Sequence, residues 1–198
     1  FYLADDLYFR ARVHNENSGI STYTLAGYSI KLKENSASSM LGPGEMHAKE
    51  ISAAGNAFAY AIYEHSKLPL RVFEAARIAT AQINGCQICM NWQTNRDIKQ
   101  MGIEGGVSLN GEAPDENFYT HLLQDDLSHL NQQESLAVKY AKAMGSEPKQ
   151  LAKDEALWDE LKEHFSDQEI TDLTYCIAGW MGMGRVAHVL GLDQDCAV

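Results

Sequence analysis

Residues 74–93 read Glu-Ala-Ala-Arg-Ile-Ala-Thr-Ala-Gln-Ile-Asn-Gly-Cys-Gln-Ile-Cys-Met-Asn-Trp-Gln, and the rest of the chain is read outward from them. The first half is rich in Ala and Ile at helical spacing. Asn84 and Gly85 are the residue types that most easily take the left-handed conformation closing a helix. A reversal there sets the helix bearing Glu74 beside a second helix that opens with Cys86 and Cys89. One carboxylate and two thiols then share a pocket. The two cysteines stand three positions apart in a first helical turn, close enough for a disulfide. Cys86, nearest the N-terminus, faces the unpaired N–H groups and the positive end of the helix dipole, which favours its thiolate.

Helical periodicity continues on both sides. Over 45–66 the apolar residues Ile51, Ala54, Phe58 and Ile62 recur at three- and four-residue steps, the stripe of an amphipathic helix. Pro69 suits the first position of the helix that carries Glu74. The cysteine helix is expected to run from Cys86 to about Met101, followed by a Gly-, Asn- and Ser-rich loop to Pro114. Helical patterns then cover 115–127, 132–144 and 154–165. Ser166 and Glu169 have capping-box spacing and open a long apolar helix to about Gly191. The expected fold class is all-α, with six or seven helices over 46–192 and a tail at 193–198. Residues 1–45 differ: a short helix over 2–13, then alternation over 20–33 around Ala26-Gly27 that suits a small hairpin. This segment reads as an extension or irregular arm.

Composition sets the function classes aside in turn. Of 198 residues, 16 are Lys or Arg and 27 Asp or Glu, a formal net charge of −11. A nucleic-acid binder of this size would carry a basic stripe to neutralise phosphates, and no run of Lys or Arg occurs. Nothing approaches the roughly 20 apolar residues of a membrane span. Neither nucleic acid nor membrane is expected as a partner. The chain begins at Phe1 rather than Met, which reads as a trimmed or processed product, and the expected compartment is cytoplasmic. Four cysteines in this length do not make a secreted disulfide framework, and a C-x-x-C pair suits redox work or metal. Zinc needs about four ligands, and the sequence offers neither a second C-x-x-C nor closely spaced histidines. No metal and no organic cofactor is expected.

The spacing Glu74, eleven residues, Cys86, two residues, Cys89 resembles the AhpD-like alkylhydroperoxidase branch of the carboxymuconolactone decarboxylase superfamily. The likeness extends to Leu68-Pro69-Leu70-Arg71, to 132–144, to 158–165, and to the long C-terminal helix through Gly184-Arg185-Val186-Ala187-His188. It covers roughly 46–192. The resemblance implies a helical homo-oligomer, commonly a trimer or hexamer, and a thiol-dependent peroxide reductase of peroxiredoxin type. It makes Cys89 the peroxidatic thiol and Cys86 the resolving one, with Glu74 in a proton relay. A thiol or dithiol would serve as reductant. The dipole argument favours Cys86 as thiolate, whereas the resemblance favours Cys89 for the peroxide step.

Two departures stand out. Gln93 occupies the place of the relay His, and Ile88 stands where a second His often precedes Cys89. Gln can orient a water or hydrogen-bond a thiolate, but it cannot accept and return a proton near neutral pH. Glu74 is then the remaining base of the motif, if burial raises its pKa. The plainer reading of Glu74 is a helix-surface carboxylate bonded to Arg71 or Arg77. His188 is a candidate substitute for the relay His, its plainer role being a satisfied core or interface residue. Cys176 reads as a small buried residue, and Trp180, Met181 and Met183 as core or subunit interface. Two other functions fit the sequence: a lyase or isomerase acting on a small organic acid, and a non-catalytic redox-sensing oligomer.

Overall fold

The computed structural model describes residues 47–193 without a break, together with Gly44 and the backbone of 14–16, 20–25 and 28–33. The helix expected over 2–13, Cys196 and the tail beyond Asp193 lie outside the described residues. In the extension, strands β1 (His14–Glu16), β2 (Ile20–Leu25) and β3 (Tyr28–Lys33) form an antiparallel sheet in that order, with Ile20 opposite Lys33 and Leu25 opposite Tyr28. Among the described residues, every helix lies C-terminal to it. They are α1 (Lys49–His65), α2 (Leu70–Asn84), α3 (Gln87–Asn91), α4 (Thr94–Asp97), α5 (Glu116–Leu123), α6 (Gln132–Ser146), α7 (Pro148–Leu151), α8 (Glu155–His164) and α9 (Asp167–Val189). Two of these nine helices of the described residues, α4 and α7, are four-residue turns, which accounts for the excess over the six or seven read from periodicity.

The helix that carries Glu74 is the centre of the fold. Twelve of the fifteen α2 residues are buried, so it is enclosed on all sides by α6, α9, α5 and α3 rather than showing one apolar face. Phe73 and Ile78 are fully buried, and Phe73 meets Trp180 of α9 edge-on at 4.6 Å between centroids. The helix ends as expected: Gly85 sits at φ 69°, a conformation that costs a β-carbon. Its N–H donates to the carbonyls of Ala81 and Gln82.

Caps fix the other helix starts. Ser166 and Glu169 form the reciprocal box read from the sequence, and Asn131 and Glu134 form a second at α6. Asp115 and Asp154 cap α5 and α8 through the N–H groups of Phe118 and Leu157. The loop over 102–114 contains one 3₁₀ turn, Gly106–Leu109.

Two expectations are corrected. The stripe on α1 does not face the core: only Ile62 is buried, while Ile51 is 79% and Phe58 39% exposed. α1 meets α9 closely at Ile62, where a β-carbon on Gly179 would lie 2.1 Å from Ile62 Cδ1. The cysteine helix is not continuous to Met101 either. It stops at Asn91, Trp92 and Gln93 are extended, and the chain resumes as α4 and a 3₁₀ turn, Ile98–Met101. The cause lies in α2 and belongs to the site.

Candidate functional site

Cys86 and Cys89 form a disulfide, with their Cα atoms 5.2 Å apart. Cys86 is the N-cap of α3, and its sulfur accepts the Cys89 N–H at 3.3 Å. The two cysteines differ in burial: Cys86 is fully buried against Ala187 and Leu192, whereas Cys89 is half-buried. With only five residues, α3 has little macrodipole to offer Cys86, so the dipole argument loses its weight.

Beneath the disulfide lies a buried ion pair. Arg77 Nε and Nη2 donate to Glu74 Oε1 and Oε2 at 2.6 and 2.9 Å, with both side chains at most 2% exposed. One helical turn apart, they meet inside the core as a forked pair. Arg77 also donates through Nη1 to the Cys89 carbonyl at 2.5 Å and through Nη2 to the Trp92 carbonyl. Glu74 in turn accepts the Thr94 N–H at 3.3 Å and hydroxyl bonds from Thr94 at 2.5 Å and Tyr119 at 2.8 Å.

This pair explains the broken helix. Continuation would use the Cys89 carbonyl to accept the Gln93 N–H. Instead Arg77 occupies that carbonyl, and the Gln93 N–H goes to Asp97 Oδ2 at 2.9 Å. The backbone groups released by the break are thus satisfied, as burial requires.

The same contacts settle the state of the carboxylate. Burial alone pushes the Glu74 carboxyl up, but the Arg77 guanidinium, helped by hydrogen bonds from Arg77, Thr94 and Tyr119, outweighs it and the net shift is downward. Glu74 is neither a surface carboxylate nor a base with a raised pKa. Five donors already saturate its roughly four lone-pair sites. Arg77 is held in its charged form, and burial together with Glu74 pushes the Tyr119 hydroxyl up.

Gln93 has its side-chain amide held by Glu116, donating to both carboxylate oxygens, at 3.2 and 3.0 Å, on the exposed side of the break. His188 borders the Gly85 turn: a β-carbon on Gly85 would sit 3.1 Å from its Nε2. His188 Nδ1 is 3.0 Å from Asp193 Oδ2, and the same oxygen accepts the Gln87 N–H at 3.0 Å. A carboxylate–imidazole pair therefore borders the turn that precedes the disulfide. Cys176 stays apart in α9, buried and bonded to Asp172 at 3.3 Å, its thiol pushed well up by burial and that carboxylate.

Arg77 had a local signal, a charge three positions from Glu74 in an otherwise apolar helix. Thr94 and Tyr119 had none, since they reach Glu74 across 20 and 45 positions. Asp193 fell in the segment read as tail. Among the described residues, no helix is long and apolar enough to cross a membrane. Comparison with protein-family models, curated proteins and solved structures finds no match to the chain.

Proposed function

We propose that the protein is a thiol–disulfide oxidoreductase whose Cys86–Cys89 pair reduces hydroperoxides, as its resemblance to the AhpD-like enzymes implies. The observation that carries the reading is the asymmetry of the bonded pair: Cys86 is sealed in apolar contacts and Cys89 is only half-buried. A C-x-x-C centre whose two cysteines differ in burial can divide the work between an entry thiol and a resolving thiol.

In the reduced protein the Cys89 thiolate attacks the distal oxygen of a hydroperoxide. The O–O bond breaks, an alcohol leaves after taking up a proton, and Cys89 becomes a sulfenic acid. The Cys86 thiolate then attacks that sulfur, the S–O bond breaks, and the hydroxyl departs with a proton as water. Two thiols and one peroxide give one disulfide, one alcohol and one water. An external dithiol restores the thiols by attack at Cys89.

Glu74 acts here as a positioning residue. With Arg77 it fixes the Cys89 and Trp92 carbonyls and so the orientation of α3. His188, held by Asp193 beside Gly85, borders the turn and serves as the relay base in place of the histidine that Gln93 replaces. Assembly into a homo-oligomer is part of the proposal, supported by apolar side chains exposed on α1 and α9: Ile51, Tyr175 and Val189.

Stopped-flow mixing of the reduced protein with cumene hydroperoxide tests the reading. The expected result is consumption of one peroxide and two thiols per chain, with a sulfenic acid trapped at Cys89 in Cys86→Ser. Thiols left intact by excess peroxide would overturn it.

A further inference from the structure

The turn after α5 gathers three side chains that the oxidoreductase reading does not use. His121 lies in the last turn of α5. Asp125 takes φ 61°, which reverses the chain, and the Asp126 N–H then returns to the His121 carbonyl at 2.9 Å. Leu127 and Leu130 both pack onto the core, joined by a hydrogen bond at 3.1 Å. The residues between them are pinned at both ends, and His129 folds back over His121, their ring centroids 3.9 Å apart.

From this convergence we infer that His121, Asp126 and His129 bind one divalent transition-metal ion of the zinc class. His121 Nδ1 is 3.0 Å and His129 Nε2 3.9 Å from the same oxygen, Asp126 Oδ2. One ligand atom from each residue falls within 4.8 Å of the other two. Around an ion about 2.0–2.1 Å from each ligand, tetrahedral neighbours stand about 3.4 Å apart. A shift of about 1 Å by the His129 side chain, which is 60% exposed, closes the set.

The other Asp126 oxygen accepts the Ser128 N–H at 2.9 Å, so the carboxylate is held from behind, as carboxylates that bind metal commonly are. Two imidazoles and one carboxylate select zinc, nickel or copper over magnesium or calcium, which take oxygen ligands. Three protein ligands leave a coordination position for water or a small anion. An Asp–His contact alone would need no second imidazole; the second ring aimed at the same oxygen separates a metal site from an ordinary surface pair. The histidines, eight positions apart in sequence, become neighbours only through the turn.

The test is isothermal titration of the untagged full chain with zinc chloride, in the oxidised state so that Cys86 and Cys89 cannot compete. The expected result is one zinc per chain, weakened at least about tenfold in both His129→Ala and Asp126→Asn. Zinc should also raise the Tm of the parent protein and not of either variant. Equal zinc binding by parent and variants, or no binding by the parent, would overturn the inference.

Discussion

Arg77, forked onto buried Glu74 from within α2, donates through Nη1 to the backbone carbonyl of Cys89 at 2.5 Å. One guanidinium therefore ties a fully buried carboxylate to the turn that carries the disulfide. Removing it strands Glu74 without a counterion. Arg77→Met should cost about 3–5 kcal/mol of unfolding free energy, the usual loss when one member of a buried pair is removed. Replacing both residues with apolar ones should cost much less than the two single losses summed. Urea unfolding of the singles and the double measures this, and strictly additive losses would show that the pair is not coupled.

The same pair sets an acid limit. Glu74 titrates below its ordinary value in the folded chain, so the unfolded chain binds the proton first as the pH falls. Its contribution to stability is complete above the ordinary carboxylate range and is lost as the pH drops through the lowered folded value. Thermal unfolding should show stability declining below about pH 4.5. The decline should be shallower in Glu74→Gln, which has no carboxylate to protonate. Identical acid profiles for the two proteins would remove Glu74 as a source of it.

The Gln93 amide is already committed to both Glu116 oxygens. Gln93→Ala and Gln93→His should therefore leave the rate of peroxide-driven thiol loss unchanged, while His188→Gln should lower it and alter its pH profile. A faster Gln93→His protein in the stopped-flow assay would instead place position 93 in the relay.

Two glycines of α9 should respond in opposite directions. A β-carbon on Gly179 would lie 2.1 Å from Ile62 Cδ1, whereas one on Gly182 meets nothing within 4 Å. Gly182→Ala should stabilise by about 0.5–1 kcal/mol through helix propensity. Gly179→Ala should destabilise by about 1–3 kcal/mol through overpacking. Chemical denaturation compares the two, and matching signs would contradict this packing of α1 on α9.

What could be read from the sequence was local. The Gly85 cap and the Ser166–Glu169 box need only residues within a turn of one another, and both appear as read. The break after Asn91 could not be read that way, because it depends on Arg77 reaching carbonyls 12 and 15 positions ahead. Burial failed similarly on α1: spacing reveals an apolar stripe but not what faces it, and Ile51 is left exposed. At the site, the cysteine spacing located the disulfide. The charge state of Glu74 rests first on Arg77, one turn away and legible in the sequence, and then on Thr94 and Tyr119, which no periodicity connects to it.

The central claim is that the Cys86–Cys89 centre exchanges thiols through Cys89, and its most direct measurement uses one cysteine at a time. Reduced Cys86→Ser and Cys89→Ser proteins are each mixed with glutathione disulfide, and the mixed disulfide is followed by intact mass and peptide mapping. The account predicts rapid capture at Cys89 in the first protein and slow capture at buried Cys86 in the second. Equal or faster capture at Cys86, or no capture at either sulfur, would contradict it.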